Sequence, residues 1–180
     1  MKKNVLVYGL ISGICVATFM AASIAYCYSK NSFEGSMLLG YTAMLLSFSL
    51  IFVGVKNYRD KFNNGMISFG RAFLMGLYMA LIASTLYVVG WMIAYYNFFP
   101  DFIEKLAAYQ LSSARTSQMS PGQVTAVRGQ IEMFREWYST PLGVAGATYM
   151  EILPVGLIVA LVSALTLKRK SVKNDKVFVG

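Results

Sequence analysis

The one ionisable residue set deep in an apolar stretch is Glu151, in the run Leu142–Leu167, with Pro154 three positions on. On insertion scales a carboxylate in a bilayer costs roughly 2.5–3.5 kcal/mol, and residues that carry this cost tend to mark ion or proton routes. Pro154 has no N–H, so the carbonyl of Met150 loses its helical donor and the helix is expected to kink there. A carboxylate beside a freed carbonyl is the raw material of a proton or cation site. Depth along the helix admits a structural role as well. Glu151 lies sixteen residues from Leu167, or ~24 Å of rise, which puts it towards the outer leaflet. There it can reach interfacial water or cap neighbouring helices. At matching depth the other apolar runs offer Ser23, Tyr41, Thr42, Thr85 and Tyr87 as hydrogen-bond partners, and no cationic residue within the membrane.

The remaining chemical inventory is thin. Histidine is absent, which removes His-dependent triads, His-ligated zinc and haem, and the commonest general base. Cys15 and Cys27 are twelve residues apart on one expected helix, separated by ~18 Å of rise, and cannot bridge each other. No glycine-rich phosphate loop of the required spacing occurs. Catalytic, cofactor-binding and metal-binding residues are therefore all expected to be none, and the chain is not expected to be an enzyme.

The elements that must position Glu151 follow from hydropathy. Four apolar runs, at about 5–28, 36–55, 72–99 and 142–167, each reach the ~20 residues a helix needs to cross a bilayer core. Hydrophobic residues make up 57% of the chain and charged residues 13%, well below the quarter or so charged in soluble domains. The expectation is an all-α, polytopic membrane protein: one membrane domain over 1–180 with four transmembrane helices. Lys2, Lys3, Ser23 and Ala25 imitate a signal peptide, but the first apolar stretch is about twice the usual length, which favours a retained helix.

Charge sets the expected orientation. Lys2, Lys3, the segment 56–71 and the tail 168–180 place eleven basic residues on one side against Asp60 and Asp175. The other side carries five basic residues and five acids, so the +8 of the chain is gathered on one face, with Glu151 between. The positive-inside bias puts that face, both termini and the basic tail in the cytoplasm, with a bacterial inner membrane as the expected location. Gathered in this way, the charge speaks for headgroups and against nucleic acid.

Small residues recur at every fourth position: Gly9, Gly13, Ala17 and Ala21 in the first run, Gly76 and Ala80 in the third, Gly156 and Ala160 in the fourth. Such faces let helix backbones approach closely, either within one bundle or against a membrane-protein partner or a second copy. Tyr26, Tyr28, Trp91, Tyr95, Tyr96, Phe98, Phe99, Trp137 and Tyr138 fall at the outer boundary, as an interfacial belt would. Between the third and fourth spans, about 100–140 is too long for a structureless loop. Phe102, Leu106 and Tyr109 repeat at helical spacing, and Ser120-Pro121-Gly122-Gln123 is a capping box that opens a second helix. An extracytoplasmic helical hairpin is expected there. On the opposite side, Lys56–Gly65 is expected as a loop ending in an Asn-Gly turn.

Several segments taken in order carry a resemblance: Tyr58-Arg59-Asp60-Lys61, Ile67-Ser68-Phe69-Gly70-Arg71-Ala72-Phe73, Pro100-Asp101-Phe102, Glu151-Ile152-Leu153-Pro154-Val155-Gly156-Leu157-Ile158, and Lys168-Arg169-Lys170. Together they resemble the bacterial membrane family catalogued as domain of unknown function 4199. The resemblance implies four spans with an extracytoplasmic insert, and it implies no activity. From the residues, the first expectation for function is a non-catalytic scaffold or accessory subunit. The alternative is a small-solute or proton/cation pathway using Glu151 beside Pro154.

Overall fold

The structure is a computed structural model that describes residues 1–30, 36–112 and 118–169. Arg115 and most of the basic tail lie outside the described residues. The helices among the described residues are α1 (Lys2–Lys30), α2 (Ser36–Phe62), α3 (Phe69–Asn97), α4 (Phe102–Gln110), α5 (Pro121–Tyr138) and α6 (Pro141–Leu167). Four of them, α1, α2, α3 and α6, are long and apolar enough to cross a membrane. The described residues contain no strand, only an isolated antiparallel bridge between Ile67 and Arg169. The expected all-α bundle of four transmembrane helices with a helical hairpin between the third and fourth is thus the fold.

Local signals set the helix boundaries. Ser68 caps α3 by accepting from the Arg71 N–H, and Thr140 caps α6 by accepting from the Gly143 N–H. Ser120 and Gln123 complete their reciprocal capping box at the start of α5. Pro141 both closes the hairpin and opens α6, because a first-turn position needs no N–H donor. The corner from α5 into α6 is so tight that a side chain at Gly143 would collide with the Trp137 carbonyl.

One boundary differs from expectation. The segment Lys56–Lys61, expected in a loop, continues α2 as helix. No residue before Asn64 and Gly65 breaks the helix, and among the described residues only these two adopt positive φ, 51° and 73°. Arg59 and Lys61 in the last turn also suit the negative end of the helix dipole.

In the bundle, α3 packs along α1 on one side and α6 on the other, and α2 closes the ring against α1 and α6. Small residues set these seams. An added Cβ at Gly76 would lie 2.9 Å from the Ala160 Cβ, and one at Gly156 would lie 2.9 Å from the Ala80 Cβ. Gly13 faces the Ala83 backbone at 3.0 Å, and Gly9 faces Ile82. Ala17 meets Gly90, but Ala21 is exposed. Ala21 thus leaves the packing face assigned to it from its spacing. A four-residue step gains about 40° per repeat on a helix of 3.6 residues per turn, so the stripe rotates out of the seam.

The two ends of the bundle are tied differently. At the basic end, Arg59 donates from Nη1 to the Leu167 carbonyl (3.5 Å), Arg169 N–H donates to the Ile67 carbonyl (2.9 Å), and Asn4 donates to the Gly54 carbonyl (3.3 Å). At the insert end, α4 and α5 close on each other through Ile103, Ala107 and Ile131, with Arg135 bridging Glu104 at 2.7 Å. Asp101 fixes the hairpin to α1 by accepting from the Tyr28 hydroxyl (3.0 Å), and Lys105 pairs with Asp101 while lying over the Tyr28 ring.

Candidate functional site: a cavity under the insert

Between the membrane helices at the insert end lies a cavity of about 470 Å³. Its walls come from the insert-end halves of α1, α2, α3 and α6, and α4 and α5 roof it. The packing leaves open space beside Gly40 of α2. An added carbon at Gly40, on the cavity wall, would meet nothing within 4 Å. Towards the basic end the bundle seals. Phe48, Ile51, Met75, Met79 and Ile152 are without exposed surface and form a closed floor.

Glu151 lines this cavity. Among the described residues it is the cavity's one charged side chain, and none of them hydrogen-bonds or ion-pairs with its carboxylate. The Tyr87 and Tyr138 hydroxyls stand close enough to feel its charge. Pro154 lies inside α6 without ending it, and is exposed.

The expected partners of Glu151 divide in two. Tyr41, Tyr87 and Ser23 line the same cavity. Thr42 and Thr85 do not: each bonds the carbonyl four residues back, Leu38 and Leu81, and Thr85 also bonds the Tyr149 hydroxyl at 2.8 Å. In a membrane helix a threonine can satisfy its hydroxyl within its own turn, so depth alone does not make it a partner.

Trp91 is a further correction. Placed in the interfacial belt by its position, it is only 4% exposed and lines the cavity. Its indole N–H donates to the Tyr138 hydroxyl (3.1 Å), and Phe102 packs edge-on against its ring at 5.0 Å. The available signal was periodicity: Tyr87 and Trp91 share the helix face that carries Ala80, Ala83 and Ser84. Tyr138 shares the helical spacing of Ile131 and Phe134, but only the fold of the hairpin brings α5, with Trp137 and Tyr138, over the bundle. Tyr26, Tyr96 and Phe98 remain exposed at the outer boundary.

Eight aromatic and four methionine side chains line the cavity, with Glu151, the Gln110 amide and a few hydroxyls as its polar groups. Such a lining suits an amphipathic molecule of drug-like size, since ligand sites commonly span ~300–1,000 Å³ and are mostly apolar with few polar anchors. Metal binding finds no support here: no cluster of three or more His, Cys, Asp or Glu side chains occurs among the described residues.

Residues 7–169 match the family described as "Protein of unknown function (DUF4199)". The chain belongs to that family. No curated protein and no solved structure matches it. In this DUF4199 protein the segments that carried the resemblance fall at the two ends of the bundle, and those at the basic end, far apart in sequence, meet in space. Arg59 reaches the end of α6, and Arg169 pairs with Ile67, which is 1% exposed. The remaining segments fall at the insert end, Asp101 as the hairpin's tie to α1 and Glu151 on the cavity wall.

Proposed function

We propose that this DUF4199 protein is a non-catalytic membrane protein that takes a small solute into the cavity under its insert, with Glu151 as the polar anchor. One observation carries this reading: an unpartnered carboxylate faces a cavity of about 470 Å³ walled by apolar side chains. The sealed floor favours a carrier or receptor that loads from the insert end over a continuously open pore. The gathered positive charge supports a bacterial inner membrane location with the basic end and both termini in the cytoplasm, so loading is from the outer side.

The accessory-subunit reading draws less support. That reading rests on the insert or on the small-residue faces, and the latter are occupied within the bundle, where Gly76 meets Ala160 and Gly156 meets Ala80. A partner subunit would have to engage the insert.

Native mass spectrometry of protein released from its own membrane tests the proposal. Wild-type protein is expected to carry a small-molecule adduct. The cavity-filling variant Gly40→Trp should lose it while keeping its helical content and thermal stability. An adduct-free wild-type protein that instead retains a stoichiometric protein partner would replace this reading with the accessory one. Reporter fusions at residue 120 and at the C-terminus test the orientation, which requires opposite compartments.

A further inference from the structure

The cavity's chemistry narrows what enters it. We propose that its ligand is an apolar organic cation, such as an alkyl- or arylammonium or phosphonium ion, whose charge lies against Glu151 and whose body fills the aromatic lining. This identity rests on the reading of the cavity as a binding site.

Three observations converge on it. First, the Glu151 carboxylate faces the cavity with no lysine or arginine among the described lining residues. Glu151 is exposed within the bundle's open cavity, and a carboxylate at membrane depth favours a counter-charge, which the lining does not supply. Of the three cations on the roof helices, Lys105 and Arg135 are already paired with Asp101, Glu104 and Glu132, and Arg128 is exposed and does not line the cavity. Second, the rings of Tyr41, Tyr87, Trp91 and Tyr138 surround the same space. Aromatic faces attract cations, and poorly hydrated organic cations most readily. Third, Met20, Met44, Met133 and Met150 add side chains that adapt to varied apolar shapes.

The same features disfavour the alternatives. An organic anion would meet the carboxylate's repulsion with no basic group to offset it. A hard metal cation needs about six oxygen ligands, and no acidic cluster exists among the described residues. A proton alone has no use for about 470 Å³ of apolar space.

The chain has two tryptophans, Trp91 and Trp137, and both line the cavity, so intrinsic fluorescence reports its occupancy directly. The test titrates detergent-purified full-length protein with three probes of similar shape: tetraphenylphosphonium, neutral triphenylphosphine oxide and tetraphenylborate. Tetraphenylphosphonium is expected to quench saturably and about tenfold more tightly than the neutral probe, with tetraphenylborate weakest. Glu151→Gln should bring the cation down to the affinity of the neutral probe while leaving the neutral probe unchanged. Equal binding of cation and neutral probe to wild-type protein overturns the cation assignment but leaves the cavity as a site. Preferential binding of the borate does the same. Saturable binding of no probe removes both the assignment and the site. The three-probe comparison on wild-type protein decides the question even if Glu151→Gln does not fold.

Discussion

Around Gly76 and Ala160 the helices stand so close that an added methyl group would lie 2.9 Å from its neighbour, whereas at Gly40 the same addition meets nothing within 4 Å. These positions belong to one bundle with the same kind of apolar helices, yet the basic half is close-packed and the insert half holds a cavity. Lipid offers no hydrophobic drive for helices to associate, so they stay together by close contact of small faces. That contact is complete in the basic half. Once it suffices to hold the bundle, the insert-end halves are free to diverge and can carry polar groups that close packing would exclude.

Breaking the dense half should have the largest effect. Gly76→Leu forces a branched side chain against Ala160 and Ile51, and overpacking of this kind costs about 1–3 kcal/mol. Gly40→Ala adds bulk only to open space and gains about 0.5–1 kcal/mol from helix propensity. Reversible unfolding in mixed detergent measures both. If Gly40→Ala proved as damaging as Gly76→Leu, the contrast between the two halves would be false.

The roof supplies the next test. Trp91→Phe removes the donor to the Tyr138 hydroxyl while keeping an aromatic ring under the hairpin. The expected loss is about 1 kcal/mol, the net worth of a typical hydrogen bond. It should show as faster amide exchange in Pro121–Tyr138, with α3 and α6 unaffected below the cavity floor. Exchange that rises equally in both halves would mean that the roof and the dense half unfold as one unit.

The smallest effect concerns the hairpin itself. The hydrogen bond from Arg135 holds the Glu104 carboxyl below its ordinary value of 4.5. A carboxylate with a lowered folded value stabilises fully above its unfolded value and loses that contribution as pH falls through the folded one. Hairpin protection should therefore be level above about pH 4.5 and weaken progressively below it. Because the pair is exposed, the change is expected to be slight and to shrink further in high salt. Glu104→Gln should reduce this pH dependence in α5, leaving the part carried by Asp101, whose carboxyl Lys105 and Tyr28 also hold below its ordinary value, without moving the unfolding of the dense half.

Much of this architecture could be read residue by residue. The four spans follow from local hydropathy, the start of α5 from Ser120 and Gln123, and the turn after α2 from Asn64 and Gly65. Each signal acts through neighbours within a few residues in the chain, so no tertiary knowledge is needed. Glu151 likewise announces itself as a carboxylate in an apolar run. What it faces was less legible. Tyr41 and Tyr87 share its cavity, while Thr42 and Thr85, equal to them in depth, bond carbonyls of their own helices, Thr85 with the Tyr149 hydroxyl as well. Depth is a coordinate along one axis, whereas sharing a cavity also requires the right rotation about the helix and the right distance between helices.

Ala21 and Trp91 show the same division. Spacing alone put Ala21 in a packing face and Trp91 at a lipid boundary, and the assembled bundle turned the first outward and the second inward. From residue order came the number of crossings, the charged side and the presence of an insert, because hydropathy, charge and capping depend on nearby atoms. The cavity, its tryptophan and tyrosine lining and the pairing of glycine with alanine across the seams came only with folding. They are set by gaps of a few ångströms between helices distant in the chain, and no local pattern encodes such gaps.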